Sequence, residues 1–172
     1  STERLSTLIV KIGQPFLIIN GLISQEYSRE NLMTGLKILV LGLCMHAFMA
    51  LIAYLCARPI KPFDERKLSE YSMFFANCGF IGFPIVESLF GKEGLFYGAF
   101  WVVSFHLFVW TWGVMILARK REDIKLTPKK IVFNFGTMPC LIGFVLYAAN
   151  IPLPDFGYQL AAYLTGICTP IS

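Results

Sequence analysis

Asn77-Cys78-Gly79-Phe80-Ile81-Gly82-Phe83-Pro84 interrupts an apolar segment that otherwise runs from Tyr71 to Phe90. Gly79 and Gly82 lower the cost of leaving helical geometry, and Pro84 lacks a backbone donor and crowds the turn before it. Asn77 adds a polar amide at mid-segment. Together these residues predict a broken helix whose freed N–H and C=O groups face a cavity. Its second half, starting near Pro84, would present a positive dipole end to an anion. A Gly-rich face also serves close packing between membrane helices, so composition alone leaves both readings open.

The sequence around this break decides what kind of segment is broken. The chain has 172 residues, 56% of them hydrophobic and only 15% charged, with sixteen phenylalanines and a mean hydropathy of +0.62. Soluble domains carry about 25% charged residues, and a core of this size could not hide so much apolar surface. Six apolar segments stand out: Leu5–Ile23, Leu36–Ala57, Tyr71–Phe90, Leu95–Ala118, Ile131–Ile151, and Gln159 to the end. Several approach the roughly 20 residues that a hydrocarbon core demands. Only the second and fourth are long and nearly uninterrupted; the first carries Lys11 and Pro15, the fifth Pro139. Lipid cannot satisfy the edge of an open sheet, so helices are the reading. The predicted fold class is an all-α polytopic membrane protein, a helical bundle.

Basic residues set the orientation. Arg58, Lys61, Arg66 and Lys67 lie between the second and third segments, and Arg119, Lys120, Arg121, Lys125, Lys129 and Lys130 between the fourth and fifth. The alternate loops hold only Arg29, Lys92 and, in Asn150–Tyr158, no basic residue. Ten against two places loops 58–67 and 119–130 in the cytoplasm of a multi-pass protein of the cell membrane. Arg4 and Lys11 place the chain start there too, with Lys11 snorkelling to the surface. The net charge of +4 thus reports topology, and the lipid bilayer is the partner; no nucleic-acid partner is expected. Ser1 is not an initiator methionine and Ser172 ends inside an apolar run, so the chain is read as part of something longer.

The five cysteines (Cys44, Cys56, Cys78, Cys140, Cys168) all lie in apolar stretches without metal spacing and read as small buried hydrophobes. No nucleophile–base pattern, phosphate loop or zinc spacing occurs, so neither an enzyme, a cofactor nor a metal site is expected. An internal echo points elsewhere: Leu5 precedes Pro15 by ten residues, as Leu160 precedes Pro170. The loop charges make these two segments cross in opposite senses, the mark of an inverted-topology repeat.

The pattern Asn77-x-Gly79-x-x-Gly82-x-Pro84, followed by Phe90-Gly91-x-Glu93-Gly94 and Trp110-Thr111-x-Gly113, resembles the auxin efflux carrier family in its prokaryotic branch. Leu5-Ser6-x-Leu8 with Pro15 is similar to the second family helix, Asn134 with Gly143 to the sixth, and Thr169-Pro170 to the seventh. The resemblance implies ten spans in two inverted repeats of five, of which this chain would hold the second to the start of the seventh. Residues 1–118 would then be the rest of the first repeat, with 71–90 its crossover helix. Residues 119–130 would be the cytoplasmic linker and 131–172 the start of the second repeat. It further implies a carrier of small organic anions with its site where two broken helices cross. His106 stands where many relatives have a polar amide facing that site, and Phe135 replaces the usual proline after Asn134.

The substrate-binding residues expected are therefore Asn77, Gly79, Gly82, Pro84, His106 and Gln14. An ionisable residue within a membrane span is a functional candidate by default, although a histidine hydrogen-bonded to a neighbouring helix is the blander alternative for His106. His46 has no motif support. Glu87 is, with His106, a candidate for coupling to a proton or sodium gradient, and it could equally reach interfacial water. Gln14 and Asn20 could face the cavity, with Gln14 favoured because it adjoins Pro15. The leading function is a secondary carrier exporting or exchanging small organic anions by alternating access. The other readings are a membrane sensor or scaffold that binds without transport, and a channel, for which segments two and four lack a polar stripe. Assembly as a homodimer is left open.

Overall fold

The computed structural model describes Thr7 and residues 9–75, 78–79, 81–119, 136–151 and 153–171. Asn77, Asn134, Phe135, Leu5, Ser6, Leu8 and the linker beyond Arg119 lie outside the described residues, as do the side chains of Thr169 and Pro170. Among the described residues every regular element is helical. A π-turn, Ile9–Gly13, leads into α1 (Gln14–Leu22). After it come α2 (Arg29–Ala57), α3 (Phe63–Phe74) and α4 (Gly82–Phe108), then a second π-turn, Val109–Gly113. The chain continues through α5 (Val114–Ala118), α6 (Thr137–Ala148) and α7 (Asp155–Ile171).

Two helical stretches are long and apolar enough to cross a bilayer: Arg29–Ala57, of 29 residues, and Gly82–Ala118, of 37. The first contains the segment Leu36–Ala57 that the sequence marks as nearly uninterrupted, and the second joins the end of the third segment to the whole of the fourth, Leu95–Ala118. The second is divided at Gly91, where φ 61 and ψ −150 take the backbone out of the helix. Only glycine enters that region without strain, so Gly91 forms the sharp turn between the half-helix Gly82–Phe90 and the span that follows. The prolines that break the other segments have a common role. Pro15, Pro84 and Pro139 each sit in the first turn of a helix, where no intrahelical partner is needed for the missing N–H. Pro84 and Pro139 begin helices in mid-segment, while Pro15 marks the join where the π-turn Ile9–Gly13 passes into α1.

Helix α2 shows how the sequence specifies packing. Its buried residues are Gly35, Gly42, His46, Ala50, Ala53 and Ala57, spaced to share one face. Its large apolar side chains, among them Val40, Leu41, Phe48, Leu51 and Leu55, are exposed. Small residues inward and large ones outward is the pattern of a helix that packs by close backbone approach and faces lipid with the rest. A Cβ on Gly35 would lie 2.5 Å from the ring of Phe100, and one on Gly42 would collide with Ser104 Oγ, so α2 and α4 touch where only glycine fits. On the other side of α4, α1 packs among α4, α6 and α7. Leu17, Ile18 and Leu22 there join Phe96, Ala99, Phe100, Cys140 and Tyr147 in the main core.

Candidate functional site

Two of the sequence-predicted residues meet. The Gln14 side-chain amide donates to His106 Nε2 at 3.1 Å, joining the start of α1 to the last turn of α4 across 92 residues. In the neutral ring this leaves the hydrogen on Nδ1, which is buried and has no partner among the described residues. His106 is only 3% exposed. Both helices carry a π-turn beside the pair: Ile9–Gly13 immediately before Gln14, and Val109–Gly113 three residues after His106. Such turns widen the helix and re-aim the side chains around them, and they are frequent at functional sites.

The pair borders a cavity of about 410 Å³, walled by Tyr71, Phe75, Phe105 and Trp110 and floored by Gly113. His106, Trp110 and Gly113 fall at i, i+4 and i+7, so one face of the fourth segment supplies the polar nitrogens and the small floor. Gly113 is small because the ring of Phe75 leaves no room for a Cβ. The lining offers ring N–H, amide and hydroxyl groups and no formal charge. This arrangement can hold a polar or anionic group by hydrogen bonds among aromatic walls.

A larger cavity, about 670 Å³, lies between the half-helix Gly82–Phe90 and the rest of α4 beyond the turn at Gly91. Cys78, Gly82, Phe83, Glu93, Tyr97 and Trp101 line it together with Ile38 of α2. The broken segment therefore passes from one cavity to the other, with Phe75 in the smaller and Cys78 and Gly82 in the larger. The break itself is short. The Phe75 N–H still bonds Tyr71 O at 3.0 Å, and the Phe83 N–H closes on Gly79 O at 3.1 Å.

The remaining candidates fall apart from the Gln14–His106 pair. Gly79 is half-buried, with no described atom within 4 Å of an added Cβ, and Gly82 meets only Cys78 at 4.0 Å. These glycines therefore do not make the close helix contacts that Gly35 and Gly42 make, which weighs against the packing alternative for the break. Pro84 is half-buried beside them and Glu87 is exposed on the half-helix, bordering neither cavity. His46 is a satisfied structural histidine: its Nδ1–H donates to Gly42 O at 2.6 Å, with Ser104 Oγ 3.1 Å away, and four aromatic rings surround it. Trp110, Tyr71 and Phe75 were not among the sequence candidates; the helical spacing from His106 would have pointed to Trp110, but nothing local marks the other two.

A family model described as "Membrane transport protein" matches residues 1–134. An uncharacterized transporter of Methanothermobacter thermautotrophicus is 26% identical over 175 residues, covering 98% of this chain and 55% of the relative. An uncharacterized transporter of Methanocaldococcus jannaschii is 29% identical over 93 residues, covering 53% of this chain and 30% of the relative. The chain thus spans about half the length, or less, of these curated relatives. No solved structure matches. The match extends from the first helix through the break and the cavity-lining span, and it agrees with the resemblance carried by residues 77–113: the chain belongs to the membrane transport protein family.

Proposed function

We propose that this chain is the part of a secondary carrier that forms one side of a site for small organic anions. The observation that carries this reading is the broken segment running between two cavities, with the Gln14–His106 pair on one of them. A carrier by alternating access needs a site reachable from either side in turn, and broken helices at mid-bilayer supply unpaired backbone groups for it. The substrate carboxylate is held by Asn77 and the backbone from Gly79 to Pro84, and His106 contributes an N–H oriented by Gln14. Of the two coupling candidates, His106 is the stronger, because Glu87 is exposed and lines neither cavity. The ten-span, twofold inverted architecture, with residues 119–130 as the cytoplasmic linker, is part of the same proposal.

Full-length protein reconstituted into liposomes tests it. Uptake of labelled mono- and dicarboxylates is measured with proton and sodium gradients imposed separately. Some member of the panel should accumulate against its gradient, and Asn77→Ala and His106→Ala should each lower its uptake at least tenfold. Uptake unchanged in Asn77→Ala would remove the break from the site.

A further inference from the structure

At the far end of α2, three guanidinium groups converge on one ring. The Cζ atoms of Arg58, Arg66 and Arg119 lie 5.5, 5.5 and 5.7 Å from the centroid of Tyr54. They come from different elements: Arg58 closes α2, Arg66 is in the first turn of α3, and Arg119 follows α5. One of the three is neutralised. Glu70, fully buried, accepts two hydrogen bonds from Arg119, at 2.6 and 3.0 Å. The other two have no carboxylate partner among the described residues, and Arg66 Nε is shielded from water without a hydrogen bond. An aromatic face offers each cation only about 0.5–1 kcal/mol at an exposed site, and like charges this close oppose one another. Among the described residues the cluster is thus left with surplus positive charge and unused forked donors, which match a phosphate oxygen pair in geometry as well as sign.

The surface beside it identifies the rest of the ligand. Leu51, Leu55 and Arg58 fall at i, i+4 and i+7 on α2, with Tyr54 between them. Leu51 is 54% exposed and Leu55 49%. An apolar strip therefore leads from the lipid-facing length of α2 directly to the guanidinium groups. A soluble phosphate would use only the head of this feature, whereas an anionic phospholipid uses all of it. We propose that Arg58 and Arg66, gathered on Tyr54 while Glu70 holds Arg119, bind the phosphate of an anionic phospholipid whose acyl chain lies along Leu55 and Leu51. This site is separate from both cavities and stands whether or not the protein moves anions.

Thermal unfolding of the full-length protein in detergent, titrated with phosphatidylglycerol, phosphatidylcholine or glycerol phosphate, tests it. Phosphatidylglycerol should raise the midpoint well beyond phosphatidylcholine, and glycerol phosphate should leave it unchanged. At roughly fivefold per basic residue, Arg58→Gln should weaken the phosphatidylglycerol effect about fivefold and the double variant Arg58→Gln/Arg66→Gln about thirtyfold. The exposed Arg58 can be changed without disturbing packing, so the single variant should keep the wild-type midpoint in phosphatidylcholine. Equal stabilisation by the two lipids, or a double variant that keeps the phosphatidylglycerol increment, overturns the site. An equal effect of glycerol phosphate overturns the lipid as its occupant.

Discussion

The two histidines of this chain are both buried at seams of α4, His46 reaching it from α2 and His106 facing α1 from α4 itself, and their surroundings differ in kind. His46 fills the seam between α2 and α4: its Nδ1 is bonded, and the rings of Phe74, Trp101, Phe105 and Phe108 enclose it. His106 faces α1 across a seam that is not filled. One nitrogen is tied to Gln14, the other has no partner among the described residues, and a cavity opens alongside. A polar group that is enclosed and satisfied serves specificity of packing, while one left half-satisfied beside open space is available to something that enters.

The largest expected effect separates the two seams directly. His46→Ala should cost about 3 kcal/mol of stability, since it empties a space bounded by four rings and removes a buried hydrogen bond. His106→Ala should cost about 1 kcal/mol, because its ring already borders a void. Thermal or denaturant unfolding in detergent measures both, and equal losses would break the comparison.

Next in size is the closeness of the filled seam. Gly42→Ala places a methyl against Ser104 Oγ, and Gly35→Ala places one against Phe100. Each should cost about 2 kcal/mol by overpacking. If Gly42→Ala unfolds at the wild-type midpoint, α2 and α4 do not approach as closely as the structure has them.

A smaller effect probes the open seam. Gln14→Leu leaves His106 Nε2 buried without its donor and should cost about 1 kcal/mol. It should also free the ring to change tautomer, which nitrogen-15 chemical shifts of labelled histidine would register. An unchanged Nε2 signal would show that the amide does not orient the ring.

Much of this was legible in the sequence. The helical class follows from composition and from the apolar run lengths, and spans two and four are recognisable because no proline and, beyond Lys37, no Lys, Arg, Asp or Glu interrupts Leu36–Ala57 or Leu95–Ala118. The turn at Gly91 lies in the Phe90–Gly94 stretch that the motif singles out. The pairing of Gln14 with His106 was not legible: the two are 92 residues apart, and no local pattern fixes which faces of two helices meet. The same holds for Glu70 and Arg119, which read separately as a helix residue and one more member of a basic loop. Prolines were legible as interruptions, but that they begin helices depends on which residues precede them in three dimensions.

The smallest expected change in stability is also the one that bears most on function. Gly79 has no described atom within 4 Å of where a methyl would go and no positive φ, so Gly79→Ala should shift stability by no more than about 0.5 kcal/mol. A glycine kept for helix packing would behave like Gly42, and a glycine kept for approach by a ligand would not. The methyl would stand in the space that a carboxylate needs to reach the backbone of the break. Transport by Gly79→Ala should therefore fall at least tenfold while its unfolding midpoint stays in place, measured on the same liposome and detergent preparations. Loss of both together would assign Gly79 to the packed seam, and loss of neither would place the substrate away from the break.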